Sequence, residues 1–108
     1  MLSPKIKKIV IEYLKELARS GIPVQKAIIF GSHAQGRAKK YSDIDLVIVS
    51  KKFGKNRIKE GQNLFKKAFR IDPRLEPIPV SPWQYKHYYD SPLLYYVHKD
   101  GIELTFSS

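Results

Sequence analysis

The sequence contains no cysteine, which excludes disulfide scaffolds, thiolate nucleophiles and cysteine zinc sites together. It also has no apolar run approaching the roughly 20 residues needed to cross a bilayer. Near the N-terminus lysines interrupt the apolar residues, unlike the continuous apolar segment and small-residue cleavage site of a secretion signal. A cytoplasmic protein without membrane association is the expectation. Acids are scarce as well: 10 Asp and Glu face 20 Lys and Arg, a formal charge of +10. That excess favours polyanionic partners, whether nucleotide, nucleic acid or an acidic protein surface. A solvated lysine-rich surface explains many of the same charges, so charge alone does not establish nucleic-acid binding. The three histidines, His33, His87 and His98, have no metal-ligand spacing.

What remains is a chain of 108 residues, 43% apolar and 28% charged, the size and balance of one domain with one core. No linker, repeat or low-complexity tract divides residues 1–108. Ser3-Pro4 reads as the cap and first position of a helix running to Arg19. Ile6, Ile9, Val10, Tyr13, Leu14 and Leu17 form its apolar stripe, and Ser20-Gly21 ends it. Val24–Phe30 and a run from Ser42 to about Ser50 read as strands. Asn56 caps a helix to about Arg70, with Ile58, Leu64, Phe65, Ala68 and Phe69 as its expected buried side. Arg74–Val80 reads as a strand confined to a sheet edge, because Pro77 and Pro79 cannot donate to a ladder. Ser81-Pro82 and Ser91-Pro92 each open a further helix, and Ile102–Phe106 reads as a last strand. The fold class is α/β (α+β): a small mixed sheet of about four strands with covering helices. The aromatic residues Trp83, Tyr85, Tyr88, Tyr89, Tyr95 and Tyr96 are expected in a core beneath short helices or in a protein interface, rather than as base-stacking platforms.

Residues Phe30–Val49 are the centre of the chain. An apolar run ends in Gly31-Ser32, a small-residue and basic turn follows, and a second apolar run opens with Asp43-Ile44-Asp45. Alternation puts Asp43 and Asp45 on one face, about 7 Å apart along the strand, close enough to lean together onto a hard cation such as Mg²⁺. Gly31 lets the backbone approach a ligand, and Ser32 adds a hydroxyl and an N–H at the same place. One helical turn over Ser32–Gly36 would point its free N–H groups at an anion. Arg37 is a candidate for bidentate phosphate contact, whereas Lys39 and Lys40 would act as point charges. These parts suit a metal-bound nucleoside triphosphate.

Gly31-Ser32 followed after ten residues by Asp43-Ile44-Asp45 resembles the signature of the DNA polymerase β-like nucleotidyltransferase superfamily. Length and segment order are similar to its minimal nucleotidyltransferases (MNT). The resemblance implies a nucleotidyltransferase-like fold and two Mg²⁺ ions bridged by Asp43 and Asp45. It also implies a third acid from the strand after the intervening helix, for which Glu76 is the match, holding the metal nearer the nucleophile or accepting the nucleophile's proton. Gly31, Ser32 and Arg37 would bind the nucleotide. The loop departs from many relatives in carrying His33 and Gln35 where they have an arginine. Small members of the family are typically paired with a helical HEPN-domain toxin, which they adenylylate on a tyrosine as antitoxins. By resemblance, then, the expected activity is AMP transfer from ATP to such a partner, in an oligomer or hetero-complex. Two readings of other classes stand beside it: a non-catalytic protein that neutralises a partner by binding, and a basic nucleic-acid-binding domain.

Overall fold

The computed structural model describes residues 2–104. In chain order it contains α1 (Pro4–Arg19), β1 (Lys26–Phe30), β2 (Ile44–Val49), α2 (Arg57–Ile71) and β3 (Leu75–Val80). After these come α3 (Pro82–Lys86), a 3₁₀ turn (Tyr88–Asp90), α4 (Pro92–Asp100) and β4 (Ile102–Leu104). Four strands form one mixed sheet in the order β3-β2-β1-β4, with β2 and β3 parallel and the other pairs antiparallel. The first strand begins at Lys26, so Val24, half-buried, precedes it. Of the expected last strand, Thr105 and Phe106 lie outside the described residues.

The caps are as the sequence implies. The hydroxyls of Ser3, Ser81 and Ser91 accept from Ile6, Gln84 and Leu94 N–H, and a proline follows each. These prolines cost no hydrogen bond, because first-turn N–H groups have no intrahelical acceptor.

Alternation along the central strands divides the apolar residues into two layers. Ala27, Ile29, Ile44, Leu46, Ile48 and Leu75 pack beneath α1 and α2. Ile28, Phe30, Val47, Val49 and Val80 face Leu94 and Val97 of α4, with Tyr85, Tyr88 and Tyr96 against them. The aromatic group is therefore divided: these three tyrosines close the second layer, while Trp83, Tyr89 and Tyr95 are exposed.

β3 is an edge strand, as its prolines require. Arg74 O accepts from Ile44 N–H and Val80 O from Ser50 N–H, so the even-numbered residues of this strand turn their backbone groups toward β2. Pro77 and Pro79 consequently face the open side, where a missing N–H breaks no ladder bond.

On α2 the sequence expectation fails in part. Leu64 and Ala68 are buried, but Ile58, Phe65 and Phe69 are 74%, 44% and 59% exposed. A helix packed on a narrow sheet and against α1 alone buries only one narrow stripe, and a second apolar row is left in solvent.

Tyr13 ties the two helices of this layer together. Its ring is fully buried and its hydroxyl donates to Leu64 O at 2.9 Å. Burial raises the phenol far above its ordinary pKa. Tyr13→Phe is expected to cost about 1 kcal/mol, seen as a melting temperature lower by roughly 5 °C, with label transfer unchanged.

Candidate active site

Three strands end at one corner of the sheet. β1 stops at Phe30, and Gly31 turns the chain at φ 77°. The turn is closed by Gln35 N–H to Gly31 O at 3.1 Å and Arg37 N–H to Ser32 O at 2.9 Å. The N–H groups of Ser32, His33 and Ala34 have no acceptor among the described residues. The bond from Gln35 N–H to Gly31 O closes one helical turn, as expected, and Gly31 and Gly36, both at positive φ, bound it at either end so that it does not continue. His33 Nε2 donates to Ser42 O at 3.3 Å, bracing the turn against the start of β2.

The acids come from the neighbouring strands. Asp45 lies opposite Phe30 on β1 and opposite Glu76 on β3, so Phe30, Asp45 and Glu76 form one row across the sheet. Asp43, just before β2, lies one pleat further out on the same face, about 7 Å along the chain. Their electrostatics confirm the proximity. Asp45 is pushed up by burial and then by Asp43, with His33 pulling partly the other way. Glu76 is likewise raised by burial and then by Asp43 and Asp45. The ion pairs among the described residues use Glu16, Glu103 and Asp72, so these three acids repel one another with only His33 nearby to offset part of the charge on Asp45.

No three His, Cys, Asp or Glu side chains among the described residues close into a ready metal cage. Mg²⁺ does not need one: it commonly takes one or two carboxylates and completes its shell with water and substrate phosphates. The donor set, hard oxygen acids in mutual repulsion, fits that ion.

The basic candidates are arranged less directly. Arg37 is exposed and bonds Gln35 Oε1 through Nε at 3.0 Å and through Nη2; Gln35 Nε2 in turn donates to Tyr96 on α4 at 2.8 Å. Tyr96 meets Phe30 edge to face, centroids 6.4 Å apart. Lys39 and Lys40 are exposed, the Lys40 ammonium lying 5.4 Å over the Tyr41 ring. Two links have no local signal in the sequence. One is the Gln35–Tyr96 contact, and the other is Arg74. The Arg74 guanidinium is held bidentately by Asp72, at 3.1 and 2.9 Å, and reaches Lys40 O at 3.1 Å. It thereby fixes the loop that leads into Asp43. A search for charged partners flanking the third strand would have singled out Arg74 but not its acceptor.

A mixed four-stranded sheet that gathers a Gly-Ser turn, an Asp-x-Asp pair and a third acid at one corner defines a nucleotidyltransferase fold. Residues 7–96 match the nucleotidyltransferase domain family, and the chain belongs to it. It is 37% identical over 59 residues to a protein of Methanocaldococcus jannaschii named "putative protein adenylyltransferase"; the match spans 51% of this chain and 40% of that relative's length. A crystal structure of a "putative nucleotidyltransferase" from Sulfolobus solfataricus superposes with a TM-score of 0.64 at 22% identity, covering 92% of this chain and 78% of the other. A toxin–antitoxin structure with AMP-PNP gives 0.55 at 22% identity, covering 91% and 74%.

Proposed function

We propose that this chain is a Mg²⁺-dependent adenylyltransferase that moves AMP from ATP onto a hydroxyl of a protein partner, a tyrosine of a HEPN-type toxin, and so acts as its antitoxin. The observation that carries this reading is the mutually repelling set Asp43, Asp45 and Glu76 beside a turn whose Ser32, His33 and Ala34 N–H groups have no acceptor among the described residues. Support for the adenylyl group comes from the name of the archaeal relative. Support for the nucleotide and the toxin comes from the neighbour solved with AMP-PNP.

In this mechanism the Ser32, His33 and Ala34 N–H groups and the Ser32 hydroxyl hold the β- and γ-phosphates, where fixed donors stabilise charge without reorganising. Arg37, released from Gln35, supplies a mobile cation to the same phosphates. Asp43 and Asp45 would hold Mg²⁺, which when bound neutralises triphosphate charge and orients the reacting oxygens. Glu76 faces the acceptor side. Its place on β3 directly opposite Asp45 suits it to take the hydroxyl proton. The acceptor oxygen bonds to the α-phosphorus, the bond from that phosphorus to the oxygen bridging to the β-phosphate breaks, and pyrophosphate leaves.

The test is transfer of label from α-phosphate-labelled ATP in Mg²⁺ to the co-expressed product of the neighbouring gene. Label is expected on that protein, in a form that tyrosine replacement removes. A tight complex with no label would reassign this chain to neutralisation by binding alone. Label on RNA ends would reassign the acceptor.

A further inference from the structure

α2 presents two parallel rows to solvent. Ile58, Phe65 and Phe69 occupy positions i, i+7 and i+11, which lie on one helix face and span about 16 Å. They are the exposed apolar residues of this helix, and the Phe65 and Phe69 rings lie 6.2 Å apart. One position on, at the same pitch, run Lys59, Lys66 and Arg70, all exposed. The buried Leu64 and Ala68 lie on the other side of the apolar row. Glu60, the acid in the first turn, points away from both rows. Its carboxylate accepts from the N–H groups of Gly54, Lys55 and Asn56 at 2.9, 3.1 and 3.1 Å.

We propose that this face docks an acidic amphipathic helix of a partner protein, with the apolar row buried in the interface and the cationic row paired to carboxylates along the partner helix. A straight apolar row with regular helical spacing matches the stripe of a second helix. The charge chooses among occupants. A second copy of this chain would set Lys59, Lys66 and Arg70 against themselves, and like charges disfavour that pairing. Beside Phe65 and Phe69 the cations stand on one side and the buried Leu64 and Ala68 on the other, whereas a groove that follows a phosphate backbone is basic throughout.

The surface also reaches β3. Arg57 and Ile58, with Lys55, Ile78 and Pro79, line an open groove of about 660 Å³. Ile78 follows Glu76 by two residues and shares its face of β3. The groove runs from α2 to the open edge of β3, two residues beyond Glu76, while α2 itself covers the opposite face of the sheet. The docking does not rest on the transferase reading.

The experiment uses the full chain and the product of the neighbouring gene, with affinity measured by titration calorimetry. Phe65→Glu with Phe69→Glu is expected to weaken the complex at least about 100-fold, as loss of buried aromatic anchors does. Lys59→Gln, Lys66→Gln and Arg70→Gln together should weaken it about tenfold and abolish its salt dependence. All five side chains are exposed, and circular dichroism checks that both variants remain folded. The absence of a complex, or equal affinity of wild type and the phenylalanine variant, would overturn the proposal. So would loss of binding to a 20-nucleotide RNA or to phosphatidylglycerol vesicles with partner affinity intact. A complex that depends on Phe65 and Phe69 but carries no label leaves the docking standing and defeats the transferase reading. Label transfer indifferent to both residues does the reverse.

Discussion

Replacing Asp43 and Asp45 together by asparagine is expected to cut label transfer by at least about 10³-fold while making the protein more stable. The two effects have one origin. Asp43, Asp45 and Glu76 repel one another and form no ion pair among the described residues, so the fold bears a cost for the charge arrangement that the nucleotide and its metal would relieve. At about 7 Å and in a largely solvated setting, removing the pair should return about 1 kcal/mol. The sign of the pH dependence follows from the raised Asp45 and Glu76. A carboxyl whose folded pKa exceeds its unfolded value is favoured by the fold when protonated. Stability therefore falls as pH rises from below the ordinary carboxylate range through the raised values. The melting-temperature advantage of the double variant should be full at pH 7 and vanish near pH 3, where Asp45 and Glu76, both raised, are protonated. A variant that loses both activity and stability at pH 7 would mean that the acids hold the fold together, and the site assignment would fail.

Gly31→Ala is the second large effect. At φ 77° an alanine carries backbone strain of about 1–2 kcal/mol. In addition, its Cβ would stand 2.5 Å from Asp45 Oδ2. Either the turn or the carboxylate must move, and a displacement of this size in a phosphoryl-transfer site costs about 100-fold. Gly36→Ala is the matched control. Its φ is 71°, yet nothing lies within 4 Å of the added atom. The two variants should lose similar stability, but only Gly31→Ala should lose most of the transfer rate. Equal loss of activity would show that turn strain matters and contact with Asp45 does not.

The course of the chain through the site is legible because it depends on short-range rules. Apolar runs broken by Gly31 and by Pro77 and Pro79 give two interior strands and an edge strand, and alternation puts the acids on a common face. The serine-proline pairs announce three helices for equally local reasons. α2 shows where such reasoning stops. Its sequence carries two apolar rows of helical pitch, Leu64 with Ala68 and Ile58 with Phe65 and Phe69. Period alone does not say which row meets the sheet; that depends on how much of the neighbouring surface α1 and β3 leave open. Arg74 on Lys40 O and Gln35 on Tyr96 join residues 34 and 61 positions apart. Contacts of that reach are fixed by the packing of strands and helices, not by any local pattern. By contrast, the single turn over Ser32–Gly36 is local: Gly31 and Gly36, both at positive φ, start and stop it.

The prolines of β3 bear on how the protein behaves alone in a crowded solution. A bare strand edge ordinarily offers alternating donors and acceptors on which a stray chain can crystallise into a growing ladder, the first step toward fibrils. Between Leu75 and Ser81 this edge offers carbonyls but no donor, so an incoming strand would find half of its partners missing. The protein can expose a greasy helix for recognition without also exposing a template for polymerisation on that flank.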